Sequence, residues 1–405
     1  MYNPSLIAVV SLEYDWTTVI SGTTTILESV YFIDSINGWV VGGYGTILRT
    51  TNGGEDWVAQ TSNTKNWLKD VWFTDSNNGW VVGGYGTILY TSNGGTSWVF
   101  QTSGIDDHLQ GVYFVNRTHG WAVAYGGAII VTQNGGQTWE NQTSNTIKNL
   151  NELYFFNATL GYVVGRDGTI LWTINGGEHW QTKNIETSIG LKGITFSKNL
   201  GVLVGGFGTI YCSSDYGDNW YLKNTGTSDH LENCEMSPEG MGVVVGDSGT
   251  ILITEDYGNS WNISSNDINY DLRDVVFLTD EETILIVGDG GVITKGKLKI
   301  ATTALTTDIS EEITILLFGI LLITAISIIG FSVVQIANKR RRITTYRPTR
   351  ISFHCQLDNE RHPVSDSGYK CQSCSRMVCA SCDQQSAMSG MNNCPYCGGM
   401  LVRFQ

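Results

Sequence analysis

A tryptophan that returns about every 41 residues constrains this chain more than any other feature. Trp57, Trp98, Trp139, Trp180, Trp220 and Trp261 are spaced 41, 41, 41, 40 and 41 residues apart. Each closes a short block: TTNGGEDW, TSNGGTSW, TQNGGQTW, TINGGEHW, SSDYGDNW or TEDYGNSW. Upstream of the blocks lie runs of the type GWVVGGYGTIL, as at Gly38–Leu48 and Gly79–Leu89, preceded by alternating apolar stretches such as Leu68–Phe73. One unit therefore reads as four strands joined by tight turns. Four strands in a period of roughly 40 residues is the pattern of a propeller blade.

The two ends set the number of blades. Trp16 lies 41 residues before Trp57, yet no three strands precede it. Leu272–Thr294 supplies three strands (LRDVVF, TILIVG, GGVIT) and no closing Trp strand. The strand around Trp16 is thus expected to complete the blade begun at Leu272, which removes two open sheet edges. A linear solenoid would need caps and would leave this split unexplained. Six complete units and one shared unit predict an all-β, seven-bladed propeller over residues 8–296.

Charge narrows the partners. Residues 1–338 hold 14 Lys or Arg against 34 Asp or Glu, a net of −20, while the remainder carries +6. So acidic a region argues against nucleic acid, because phosphate binding needs a basic surface. With 15% charged residues, 48 Gly and 13 Trp, the bulk of the chain lacks the composition of disorder.

The block S/T-x-D/N-x-G-x-T/S-W is similar to the Asp-box of BNR-repeat propellers. Together with the GWVVGGYGTIL run it resembles the seven-bladed propellers related to the photosystem II stability and assembly factor. That resemblance implies a protein-binding scaffold, although the fold by itself says little about the ligand. Asp-boxes also occur in sialidases and sortilin-type receptors, so each box reads as structural. Asn52, Asn93, Asn134, Asn175, Asp215 or Asp256 would hydrogen-bond its own turn, and each Trp would pack between blades.

A sialidase-like hydrolase needs several arginines around a substrate carboxylate, with a nucleophile and a general acid. The first 338 residues contain only Arg49, Arg117, Arg166 and Arg273, at four different phases of the repeat. His108, His119, His179 and His230 are scattered likewise, and no carboxylate pair of the glycosidase kind stands out. A glycosidase is disfavoured on these grounds, and binding is the better reading. Strands alternate in direction, so the strand 2–3 turns and the loops to the next blade share one face, opposite the Asp-boxes. That face carries Tyr44, Tyr85, Tyr125, Arg166 and Phe207 in equivalent turns, with Trp67 and His108 in the longer loops. Aromatics and Arg are enriched at binding hot spots; the alternative is that these rings simply fill the channel mouth. A protein or glycan ligand is expected.

Ile313–Ala337 is an uncharged run of 25 residues, which at about 1.5 Å per residue crosses a hydrocarbon core of about 30 Å. Its upstream flank is acidic (Asp308, Glu311, Glu312), and downstream stand Lys339, Arg340, Arg341 and Arg342. Positive-inside orientation predicts a single-pass membrane protein with the propeller outside and the C-terminus in the cytosol. Residues 297–312 form the expected linker, and 338–350 a basic juxtamembrane segment. The sequons at Asn116, Asn141, Asn157 and Asn262 all fall in the propeller and suit an external, glycosylated domain. Met1–Val10 lacks a basic n-region and a cleavage site, so either the start lies further upstream, the preferred reading, or the helix itself directs export of the long N-terminal domain. Cys212 and Cys234 are open to pairing outside the cell.

The tail, 351–405, reads Cys355-x6-His362-x8-Cys371-x2-Cys374-x4-Cys379-x2-Cys382-x11-Cys394-x2-Cys397. These eight ligands suffice for two tetrahedral Zn2+ ions. So short a segment cannot build a sufficient apolar core, so the metal would supply the folding energy. Cytosolic reduction would keep the thiolates available. The spacing resembles RING-type and B-box-type fingers, departing from RING in its first pair, where Asp358 or His354 could replace His362, and in having Cys371 and Cys374 as its second pair. The resemblance implies recruitment of a ubiquitin-conjugating enzyme. Two functions follow: a receptor or scaffold whose finger docks a cytosolic partner, or a membrane-anchored RING-type ubiquitin-ligase component.

Overall fold

The computed structural model describes residues 12–278 and 283–300, and in the tail the short strands 352–354, 361–363, 368–371, 377–379 and 401–404. The chain divides into two units, Met1–Thr303 and Ala304–Gln405. The first contains seven four-stranded antiparallel sheets. Blade 1 consists of β2 (Leu27–Phe32), β3 (Gly38–Gly42), β4 (Thr46–Thr50) and β5 (Val58–Gln60). Strands β6 to β25 repeat the order in blades 2–6, whose inner strands are β6 (Leu68–Phe73), β10 (Leu109–Phe114), β14 (Leu150–Phe155), β18 (Leu191–Ser197) and β22 (Leu231–Met236).

Blade 7 closes the ring. β26 (Leu272–Phe277), β27 (Thr283–Gly288) and β28 (Ile293–Ile300) are joined by β1 (Leu12–Val19), the strand that carries Trp16. β1 pairs antiparallel with β28 from Leu12↔Ile300 to Val19↔Ile293. Each inner strand packs on the next, and β26 returns to β2. β28 continues through Lys297–Ile300, residues expected from the sequence to lie in the linker. Both ends of the ring leave it on the Asp-box face.

The core lies between blades. In blades 1–3 a Trp on the second strand stacks on a Phe of the next blade: Trp39 on Phe73 at 3.6 Å, Trp80 on Phe114 and Trp121 on Phe155 at 3.7 Å. The same indole N–H groups donate to Gly94, Gly135 and Gly176 carbonyls in the next Asp-box at 3.0–3.2 Å. Each Asp-box turn is held as its composition requires. Asn52 Oδ1, for example, accepts from the Asp56 N–H at 3.1 Å, and Thr50 Oγ1 accepts from the Gly54 N–H at 3.0 Å.

A second stitch runs along the rim. Gln60, Gln101 and Gln142 accept the N–H of Trp98, Trp139 and Trp180 in the following blade at 3.1–3.3 Å. Lys183 occupies the next equivalent position and is only a donor, to the Gly217 carbonyl at 2.6 Å. The Trp220 N–H is consequently buried without an acceptor. Trp57, preceded by Val19 at this position, is left in the same state. Lys183→Gln is expected to stabilise the propeller by up to about 1 kcal/mol, read as a higher urea midpoint at unchanged slope; a lower midpoint would refute this account of the stitch.

Cys212 and Cys234 are separate buried thiols in the core between blades 5 and 6. In the second unit, β29 (Ser352–His354) pairs with β30 (Arg361–Pro363), and β31 (Gly368–Cys371) lies between β32 (Met377–Cys379) and β33 (Leu401–Phe404). Ile313–Ala337, together with Cys355, Cys374, Cys382, Cys394 and Cys397, lies outside the described residues. No helix among the described residues is long and apolar enough to cross a membrane.

Candidate binding face at the channel mouth

Every inner strand carries a β-bulge between its first and third residues. The first residue of each, from Leu27 to Leu272, is fully buried. The bulge re-aims the next two so that both line the central channel. Position two forms a polar collar: Glu28, Lys69, Gln110, Asn151, Lys192, Glu232 and Arg273. Position three lies deeper: Ser29, Asp70, Gly111, Glu152, Gly193, Asn233 and Asp274. The close approach explains the glycine before the turn in six of the seven blades, blade 3 having Ala124 there, since a Cβ on Gly83 would sit 2.1 Å from the Trp67 carbonyl oxygen.

The collar opens into a cavity of about 640 Å³ walled by Trp67, Tyr125, Arg166, Phe207 and His230. Its charges are largely paired. Glu28 binds Lys69 at 2.7 Å and accepts from Trp67 Nε1 at 2.5 Å, while Lys69 lies 5.0 Å from the Trp67 ring. Lys192 pairs with Glu232 at 2.8 Å, and Arg273 with Asp289 at 2.7 Å. Arg166 is exposed and forms no ion pair among the described residues.

Three turns at this face carry exposed aromatic rings on left-handed backbone. Tyr44, Tyr85 and Phe207 all have φ 55° and are 76, 71 and 69% exposed. The equivalent residues in the other blades are Gly126, Asp167, Ser248 and Gly290, small or polar types for which this conformation is less costly. Bulky residues here cost roughly 1 kcal/mol each and gain little burial in return. Two of the rings are braced by the next blade: Tyr85 lies 5.0 Å from the His108 ring, and Phe207 lies 5.0 Å from that of His230. His108 also approaches Tyr125 at 5.7 Å.

All seven residues expected at this face lie there, in two groups. Trp67, Tyr125, Arg166 and Phe207 line the cavity, whereas Tyr44, Tyr85 and His108 stand on its rim. Tyr125 and Arg166 are not equivalent to Tyr44: they occupy the preceding position, because the left-handed residues of their turns are Gly126 and Asp167. Of the arginines, Arg166 and Arg273 meet at the mouth, while Arg117 pairs with Asp75 in strand 1–2 turns and Arg49 stacks on Trp39 at 5.5 Å.

Deeper in the channel, a cavity of about 360 Å³ holds four carboxyls, Asp70, Glu152, Glu235 and Asp274, with no basic residue among the described residues of its wall. Asp70 accepts the Val112 N–H at 2.7 Å and Asp274 the Val30 N–H at 2.8 Å, so both tie their blade to the next. Burial pushes all four up: Asp70 to about 6, Asp274 to about 7, Glu235 to about 8, and Glu152 well above its ordinary value, the charge of Asp70 adding to the burial in the last case. Reading the sequence strand by strand does not find this group. Superposing the repeats at position three would place Asp70, Glu152 and Asp274 in one ring.

The four sequon asparagines are exposed. Asn116 and Asn157 sit in strand 1–2 turns, where their Oδ1 atoms accept the Thr118 and Thr159 N–H at 2.8–2.9 Å. Asp34 and Asp75 hold the equivalent turns, so turn chemistry accounts for the acceptor at these positions.

The first unit is thus an Asp-box propeller with a closed seven-blade ring and an aromatic, ion-paired mouth. The chain matches the family model of photosynthesis system II assembly factor YCF48 over residues 8–98, 56–140 and 100–245, and it belongs to that family. No curated protein matches it. Among solved structures it is similar to YCF48 bound to D1 peptide, with TM-score 0.61 and 22% identity over 71% of this chain and 99% of that one. YCF48 from Cyanidioschyzon merolae gives 0.60 and 18%, covering 69% and 98%. The GH74 xyloglucanase from Xanthomonas campestris gives 0.59 and 12%, covering 72% of this chain and 55% of the other. At these identities the structures share the fold.

Proposed function

We propose that the propeller is a protein-binding scaffold that holds a polypeptide at the channel mouth. The three most exposed aromatics on left-handed turns, all at this face, carry this reading: Tyr216 and Tyr257 share the conformation at the Asp-boxes but are only 47 and 55% exposed, and a partner that buries the mouth rings gives them a use. A family member bound to D1 peptide supports a polypeptide over a glycan. A photo-crosslinking amino acid at Phe207 is expected to capture a polypeptide in cells, whereas one at Glu55 in an Asp-box is not. Equal capture at both positions, or none at Phe207, would overturn the assignment.

We further propose that Ile313–Ala337 anchors the chain in a membrane, with the propeller outside and the tail in the cytosol as a zinc-bound docking module. Cys371 ends β31, Cys379 ends the adjacent β32, and His362 lies in β30, so three of the eight proposed ligands belong to short paired strands. Thiolate and imidazole donors in this number suit two Zn2+ ions, which would fold the segment and expose a surface to a cytosolic partner. A RING-type ligase component is the second reading, carried by the CxxC spacing alone. The full chain in membranes is expected to hold two zinc per molecule, with a tail cut by protease only once the cytosolic face is opened. A metal-free tail, or one cut from the propeller's side, would refute the proposal.

A further inference from the structure

We propose that the inner channel is a second binding site, which takes a linear polyamine, an alkyl chain carrying several ammonium groups. Its cavity of about 360 Å³ shares no lining residue with the cavity at the mouth. The site therefore does not depend on the role proposed there, and its ligand is a free small cation. Two layers of side chains shape it. Position three of the inner strands contributes Asp70, Glu152 and Asp274. Position five contributes Tyr31, Trp72, Tyr113 and Tyr154 from blades 1–4, and Glu235 from blade 6. The four rings form a continuous wall, with centroids 4.9, 4.1 and 5.4 Å apart from one blade to the next.

This lining selects a cation, and an organic one. Asp70, Glu152 and Asp274 accept the N–H groups of Val112, Leu153 and Val30 at 2.7, 2.9 and 2.8 Å. Glu235 differs: it faces the cavity from inside the ring, and among the described residues it accepts no hydrogen bond and joins no ion pair. The other titratable groups of the described lining are Cys234 and the three tyrosines, and burial keeps these neutral. Carboxyls buried together resist ionisation, and a cation beside them favours it. A metal ion is the poorer occupant, because no three carboxyl, imidazole or thiol groups among the described residues are placed to hold one. Aromatic faces beside carboxylates suit an alkylammonium, whose stem lies on the rings while its charged groups reach the acids. The acids come from blades 2, 4, 6 and 7, so ammonium groups spaced along one chain match them better than a single charge.

The test is spermidine added to the full chain, followed by thermal melting and by calorimetry in two buffers of different ionisation enthalpy. At pH 7.5 it is expected to raise the melting temperature of the propeller by several degrees, and Mg2+ at matched ionic strength to do much less. Affinity is expected to rise about tenfold or more between pH 6 and pH 7.5, with about one proton released per spermidine at pH 7. The sign follows from the channel acids, which keep their protons into this range and lose them on pairing. Exposed carboxylates have already lost theirs by pH 6, so attraction to the acidic exterior shows neither effect. Glu235→Gln is expected to weaken spermidine about tenfold and to reduce the proton release. No stabilisation at pH 7.5, equal stabilisation by Mg2+, binding without proton release, or unaltered binding by Glu235→Gln would each overturn the proposal.

Discussion

Raising the pH from about 5 to about 8 is expected to lower the melting temperature of the propeller by several degrees. The cause is the carboxyl group in the channel. In the unfolded chain these acids lose their protons near pH 4. In the folded channel Asp70, Asp274 and Glu235 hold theirs up to about 6, 7 and 8, because burial disfavours the charged form and the charge of one raises the next. Between these limits the folded state binds more protons than the unfolded one, so stability falls as pH rises. A tenfold change in proton affinity is worth about 1.4 kcal/mol, and the interacting carboxyls together on the order of 3 kcal/mol. The opposite trend sets in at acid pH. Burial raises Asp75, but donors from Asn77, Asn78 and Arg117 outweigh it and hold the group at about 2. Asp34, Asp215 and Asp256 are lowered by similar turns. Their contribution is lost below the ordinary carboxylate range, so the optimum falls between roughly pH 4 and 6. Glu235 accepts no hydrogen bond among the described residues. Glu235→Gln should therefore raise the melting temperature at pH 8 and reduce the slope. A melting temperature that is flat or rises from pH 5 to 8 would contradict this account.

The second large effect concerns the mouth. Replacing Tyr44, Tyr85 and Phe207 together by glycine is expected to abolish capture of the polypeptide partner, with a loss of about 100-fold or more. Stability should change by no more than about 1 kcal/mol per site, since glycine relieves the left-handed strain while adding freedom to the unfolded chain. Ordinary core or packing residues behave in the opposite way, losing stability by several kcal/mol when cut back to so small a side chain. Urea midpoints and crosslinking yields measured on one preparation separate the two cases. A triple variant that melts like the parent and still captures its partner would remove the mouth from the function.

Much of the fold is legible because each blade is written locally. The Trp spacing, the Asp-boxes and the alternating strands are properties of segments of roughly 40 residues. The shared blade follows from comparing the two ends, and β1 on β28 is the pairing expected from Trp16. The mouth is legible to the level of a face, because strand direction alone assigns turns to sides. Its finer order is not. One residue separates Tyr125 from the position of Tyr44, and only the backbone dihedrals show which residue of each turn is left-handed.

The sequence by itself determined that this chain closes a seven-bladed ring and which side carries the aromatic turns, since both depend on periodicity and strand polarity. Only the tertiary structure decided what the ring encloses. The channel carboxyls come from blades 2, 4, 6 and 7, and Asp70 lies 204 positions from Asp274 in the chain. They share one cavity, Asp70, Glu152 and Asp274 because a bulge in each inner strand turns an extra residue inward and Glu235 from two positions further along its strand. Burial and mutual repulsion then set their protonation, and neither exists until the ring has closed.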